Sequence, residues 1–157
     1  MRRYDVNFIN PFLNAVINVL ETMANVKVKP EKPYINKRRT AAGDITGIIN
    51  ISGQCNGVIS LTITKDAILT IVNNMLFENY TELNDEIADA VGELTNMIAG
   101  QARIQLSEQG QKFQAGTPKV IIGKDKELDH IPGAPILAIP FSVNSGGKVI
   151  VEVSFEG

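Results

Sequence analysis

The chain has 157 residues, of which 44% are hydrophobic and 20% charged, and its net charge is −2. That length and balance fit one globular domain over residues 1–157 with a sizeable core, and they give no electrostatic case for nucleic acid. A single cysteine, Cys55, excludes an internal disulfide; the single histidine, His130, has no Cys or His partner that would indicate zinc, and nothing marks the two as an activated nucleophile pair.

Met1-Arg-Arg looks like a charged leader start, but Asn7, Asn10, Pro11, Asn14 and Asn18 interrupt the apolar run that a leader needs next. No apolar run approaches a membrane span, so the expectation is a soluble, cytoplasmic protein. Phe8, Ile9, Phe12, Leu13, Val16, Ile17 and Leu20 recur at helical period, with Pro11 near the first turn and a stripe of solvated asparagines opposite. Pro30 and Pro33 keep the next segment extended. Residues 44–52 and 58–64 read as strands, the second alternating Ile59, Leu61 and Ile63 with Ser60, Thr62 and Thr64, as in a half-buried antiparallel strand. Asn56-Gly57 is a hairpin turn signal, because both residues accept positive φ. Residues 65–77 return to helical period, with Thr64 or Asp66 as cap, and a long helix comes next at 82–109, ending near Gly110.

Residues 110–133 are loop-rich, with a short strand at 119–122. Gly116 to Gly123-Lys124 is not a phosphate loop, because the glycine spacing is wrong and Asp125 stands where Ser or Thr is required. Residues 134–144 and 148–155 make a second hairpin around Asn144-Ser-Gly-Gly147, with Val149, Val151, Val153 and Phe155 on one face and Ile150, Glu152 and Ser154 on the other. Gly57-Val-Ile-Ser-Leu-Thr-Ile echoes Gly147-Lys-Val-Ile-Val-Glu-Val. The expected fold class is α+β: an antiparallel-rich sheet of about six strands with long helices packed on it, in two pseudo-repeated halves of one domain. Charge is uneven. Lys27, Lys29, Lys32, Lys37, Arg38 and Arg39 crowd one segment; Glu78, Glu82, Asp85, Glu86, Asp89 and Glu93 crowd another. These are either two solvated surfaces or, more sharply, an acidic helix start that faces a basic partner.

The long helix carries the functional signal. Ile87, Val91, Leu94 and Ile98 form its buried stripe, and at about 100° per residue Glu93 and Asn96 fall on the opposite face, one turn apart. Gly92 and Gly100 are placed on that same outer face. Glycine costs a helix interior roughly 0.5–1 kcal/mol against alanine, so two of them there predict the close approach of a partner.

Glu93-Leu-Thr-Asn96 within Val91-Gly-Glu-Leu-Thr-Asn-Met-Ile-Ala-Gly-Gln-Ala resembles the E-x-x-N phosphatase helix of the CheC/CheX/FliY family. The opening Ile9-Asn-Pro-Phe-Leu-Asn-Ala-Val, the Gly57 strand, Gly116-Thr-Pro-Lys-Val-Ile-Ile-Gly123 and the terminal Val149-Ile-Val-Glu-Val extend the resemblance over the whole chain. The first helix carries Glu21-Thr-Met-Ala24 in place of a second E-x-x-N, which points to the single-site CheX branch. The resemblance implies hydrolysis of the aspartyl phosphate of a CheY-like response regulator and a homodimer. Glu93 and Asn96 are then the catalytic positions, with Asp89, Gly92, Gly100 and Arg103 as partner-binding neighbours.

The residue chemistry fits. An asparagine amide has no useful pKa, but it can hold a water by one donated and one accepted hydrogen bond. A glutamate near a phosphoryl group is better suited to gripping a partner cation than to acting as base. The chain offers no metal-ligand cluster, so the Mg²⁺ that neutralises the phosphoryl oxygens is expected on the regulator, and no cofactor of its own is expected. Two other readings stay open: a binding module that docks a regulator or signalling array without hydrolysis, and a homomeric scaffold built through sheet edges.

Overall fold

The computed structural model describes residues 6–54 and 56–156; the Met1-Arg-Arg start and Cys55 lie outside them. In chain order the elements are α1 (Val6–Ala24), β1 (Val28–Pro30), β2 (Tyr34–Asn36), β3 (Ile45–Gly53), β4 (Gly57–Ile63), α2 (Lys65–Leu76), α3 (Asp85–Glu108), β5 (Phe113–Ala115), β6 (Lys119–Ile122), β7 (Ile136–Val143) and β8 (Lys148–Phe155). The fold is α+β, and all eight strands join one antiparallel sheet in the order β1-β7-β8-β4-β3-β5, with β2 also on β7 and β6 also on β3. The three strands that the sequence does not mark, β1, β2 and β5, are three-residue edge segments, too short to display a period.

The two long hairpins meet at the centre, where β4 and β8 pair from Gly57↔Phe155 to Ile63↔Val149. Their inward residues, with Phe8, Phe12, Val16 and Leu20 of α1, Ile68, Ile71 and Val72 of α2 and the stripe of α3, form the main core. Phe155 sits at its end between Phe8 and Phe113, with ring centroids 5.2 and 5.3 Å away. This ring explains Gly57. A Cβ there would lie 2.6 Å from the Phe155 ring. Gly57 is therefore an extended strand residue, not half of a positive-φ turn; the positive φ near this hairpin falls on Gly53, at 132°.

Helix starts and ends answer to local chemistry. Asn84 caps α3 by accepting from the Ile87 amide at 2.9 Å. Thr64 precedes α2 without a side-chain cap bond, and Asp44 accepts from the Lys65 amide instead, at 2.6 Å. Asn25, at φ 50°, closes α1 in the left-handed conformation. The asparagines of α1 are exposed, and two of them also bond to α3. Asn18 donates to Gln101 at 2.9 Å and Asn14 to Gln105 at 3.4 Å, so amides stitch α1 to α3.

The second face of the sheet departs from the half-buried expectation. The segments 37–43 and 123–134 cover it, and Ala41, Ile48, Val58 and Leu128 make a smaller core there. Ser60, Thr62, Glu152, Ser154 and His130 are all buried beneath this cover. Asn36 and Ser60 donate to the two Glu152 oxygens. His130 Nε2 stands 3.7 Å from Glu152 Oε1, too long for a hydrogen bond, and 3.4 Å from Ser60 Oγ. Arg39 ties the cover down by donating to the carbonyls of Ile131 and Ala134. Burial, helped by the Arg39 charge and opposed by Asp129, pulls the His130 pKa down to about 4. Burial pushes the Glu152 carboxyl up, and the bonds from Asn36 and Ser60 partly hold it back.

The two groups tilt stability in opposite directions. In Glu152→Gln the His130 contribution stands alone. The unfolded imidazole, near 6.5, binds a proton that the folded one, near 4, refuses, so unfolding free energy should rise with pH between those values. In His130→Gln the Glu152 contribution stands alone: the folded carboxyl keeps a proton that the unfolded one releases, so stability should fall as pH rises above 4.5. Urea titrations of both variants across pH 4 to 7 check the signs.

Candidate functional site

Helix α3 lies between α1 on one flank and β5 and β6 on the other, with its stripe pressed on the sheet. Ile87, Val91, Leu94, Ile98, Ala102 and Leu106 are all buried. What remains outward is a narrow strip. Asp89, Asn96 and Arg103 succeed one another at seven-residue spacing along it, Glu93 and Gly100 make a parallel row, and the four side chains are exposed. Glu93 and Asn96, three apart on a helix, have Cβ atoms about 5–6 Å from each other. Among the described residues neither side chain has a hydrogen bond or ion pair. An exposed carboxylate and an exposed amide therefore stand side by side with their bonding capacity unspent.

The flanks differ in character. Toward its start α3 is acidic, with Asp85, Glu86, Asp89 and Glu93, and Glu86 accepts a bond from the Tyr80 phenol that helps push the Tyr80 pKa up to about 12. Toward its end, Arg103 donates to the Phe113 carbonyl at 3.2 Å, which pins the guanidinium at the mouth of an open groove of about 740 Å³. Ile104, 59% exposed, Lys112 and Gln114 also line this groove. Among the described residues no three His, Cys, Asp or Glu side chains converge to hold a metal ion, and no helix is long and apolar enough to cross a membrane.

The two glycines part company. Gly100 is half-buried with open space where a Cβ would stand, as the outer-face placement requires. Gly92 is buried: a Cβ there would meet Val120 at 3.5 Å and Pro118 at 4.0 Å. The segment that ends in β6 passes over it, so the close approach that Gly92 permits is within the chain. Helical angles alone place Gly92 next to the strip, and the crossing of β6 is what removes it from solvent.

Sequence periodicity also leaves Thr95 and Gly47 unmarked. Thr95, between Glu93 and Asn96, is buried and donates its hydroxyl to the Val91 carbonyl at 2.7 Å. It points at Gly47 of β3, where a Cβ would come within 1.9 Å of Thr95 Oγ1. An isolated glycine inside a strand is the available signal of such a close approach.

The antiparallel sheet with helices packed on it is matched in solved CheC-like proteins. A CheC-like superfamily protein from Shewanella sp. PV-4 superposes with a TM-score of 0.89 at 42% identity, covering 98% of this chain and 99% of that one. The family model described as Chemotaxis phosphatase CheX matches residues 45–142, and the chain belongs to that family. It is similar to the CheY-P phosphatase CheX of Thermotoga maritima, at 25% identity over 142 residues that span 90% of each chain. It also resembles CheX in the crystal structure of the CheX-CheY-BeF3-Mg+2 complex from Borrelia burgdorferi, with a TM-score of 0.81 and 26% identity over 99% of this chain and 100% of that one.

Because the site glycines meet nothing closer than ordinary van der Waals distance, Gly92→Ala and Gly100→Ala should each fold and gain roughly 0.5–1 kcal/mol from helix propensity. Gly92→Leu should instead lose stability by displacing Val120. Thermal melts of the three variants check this ordering.

Proposed function

We propose that this chain dephosphorylates a CheY-like response regulator, with Asn96 positioning the attacking water and Glu93 anchoring a cation of the partner. The observation that carries the reading is the exposed, unpartnered pair Glu93 and Asn96 on one face of α3. Membership of a family described as chemotaxis phosphatases supports it, as does the similarity to a protein named as a CheY-P phosphatase and to one solved with CheY.

The chemistry asks little of the chain. An acyl phosphate is already reactive, and phosphoryl transfer depends on alignment and on neutralising charge. The Asn96 amide holds a water in line. The water oxygen forms the new P–O bond as the bond to the aspartate oxygen breaks, and its proton passes to a phosphate oxygen. The regulator brings the aspartate and the Mg²⁺ that holds the phosphoryl oxygens. Glu93, Asp89 and the acidic helix start meet a basic surface, Gly100 leaves room for the partner to approach, and Arg103 contributes at the far end of the strip.

Asn96→Ala should lower turnover of phosphorylated regulator at least tenfold, about 1.4 kcal/mol in the barrier, with fold and binding retained. Wild-type turnover in that variant would end the mechanism; a wild-type protein that binds regulator without speeding its decay would make the chain a docking module. Glu93→Lys should weaken the complex more than Glu93→Ala, because reversal adds repulsion to the lost pair, and added salt should partly reproduce the alanine effect. Binding isotherms at two ionic strengths measure both.

The same reading includes a homodimer formed at a sheet edge. Tyr34 and Ile35, 45% and 50% exposed, lie on the β1–β2 edge beside the basic run, and an open edge is a template for pairing. Each protomer carries a whole site, because Glu93 and Asn96 share one helix. Sedimentation at micromolar concentration should give the dimer mass, and an engineered monomer should keep its turnover.

A further inference from the structure

The strip that carries Glu93 and Asn96 is only as well aimed as α3 is seated, and beside its buried stripe the seat has two interlocking contacts. In the first, Thr95 fills the place where Gly47 has no side chain. A Cβ on Gly47 would lie 1.9 Å from Thr95 Oγ1, 3.0 Å from Thr95 Cβ and 3.3 Å from Val91 Cγ1. In the second, Val120 fits beneath Gly92. The two contacts are neighbours, because Gly47 pairs with Val120 across β3 and β6. A threonine knob from the helix enters the sheet, and a valine knob from the sheet enters the helix, side by side.

We propose that Gly47 and Thr95 are positioning residues for the hydrolysis, setting the depth and rotation of α3 so that Asn96 reaches the phosphoryl group; the claim rests on the proposed role of Asn96. Thr95 occupies the middle of the motif, one residue from Asn96 and two from Glu93. With Thr95 turned into the sheet, about 100° per residue turns Asn96 and Glu93 away from it. The Thr95 hydroxyl cannot swing freely, since it is bound to the Val91 carbonyl.

The strip lies between rims carried by other elements. Pro118 and Val120 on one side and Asn14 and Asn18 of α1 on the other are the surfaces that a folded partner meets along with α3. A change in the depth or rotation of α3 is therefore a change in how far Asn96 projects beyond its rims. Misplacement by about 1 Å costs on the order of a hundredfold where catalysis is alignment.

The test is steady-state dephosphorylation of a phosphorylated CheY-like regulator by full-length variants. Gly47→Ala should lower kcat by about tenfold or more while KM changes by less than about threefold, the split expected when transition-state alignment alone is lost. Removing the clashing hydroxyl in Gly47→Ala/Thr95→Ala should recover kcat at least about threefold over Gly47→Ala. An unchanged kcat in Gly47→Ala, or a double variant no better than the single, overturns the proposal. Should Gly47→Ala not fold, the helix side decides. Thr95→Ile, which adds a carbon toward Gly47, should lose more kcat than Thr95→Val, which keeps the threonine shape, and equal rates would overturn the proposal. Asn96→Ala is run alongside. Wild-type turnover there removes the proposed function and this claim together, whereas an inactive Asn96→Ala beside a fully active Gly47→Ala removes only the positioning role.

Discussion

Helix α3 has to bury one face on the sheet, and the outward chemistry of the protein is what that burial leaves over. Ile87, Val91, Leu94 and Ile98 occupy the inner side and are almost wholly withdrawn from solvent. Each such side chain contributes about 1.5–3 kcal/mol, far more than any preference of an exposed Glu or Asn, so the apolar residues choose which face turns inward and the polar pair inherits the other. The flanks then narrow the choice. With α1 on one side and β6 on the other, the helix shows only the arc that holds Asp89, Glu93, Asn96, Gly100 and Arg103.

The far side of the sheet obeys a different logic. The alternation of Ser60 and Thr62 with aliphatic neighbours, and of Glu152 and Ser154 with valines, announces a polar face. That face is buried nonetheless, and it stays tolerable because its groups satisfy one another. Thr46 and Thr62 share a hydrogen bond at 2.8 Å, Thr62 accepts from the Gly43 amide, and Ser154 accepts from the Ile131 amide. Glu152, buried at the middle of the sheet, has Asn36 and Ser60 on its two oxygens. His130 is the incomplete member, with Nδ1 buried and unbonded in the protein.

Much of this was legible in the sequence because much of it is periodic. The stripe of α3, the outward pair Glu93 and Asn96, the two long hairpins and the opposite facing of Val151 and Glu152 all arise from repeats of 3.6 or 2 residues. What was not legible depends on contacts between distant segments. Local angles put Gly92 beside Glu93 but carry no information about β6, which covers it. Asn56-Gly57 satisfies a dipeptide rule for turns, yet Gly57 answers to the Phe155 ring 98 positions later in the chain and lies extended. Asn14 and Asn18 are solvated as their pattern reads, but their bonds to the glutamines of α3 are not written in it. The burial of Glu152 needs the segment around His130 to fold back over the sheet, which no window of neighbouring residues encodes.

The hydrogen bonds that tie α1 to α3 run between amides, Asn18 to Gln101 and Asn14 to Gln105. An amide carries no net charge and does not ionise at ordinary pH. The polar ties of the helix pair are thus made by groups indifferent to the charges on the outer strip. Acidic residues on that strip can be exchanged, added or reversed while the helix that bears them keeps those bonds. Recognition and architecture occupy the same helix but rest on separate chemistries, which leaves one scaffold free to track changing partners.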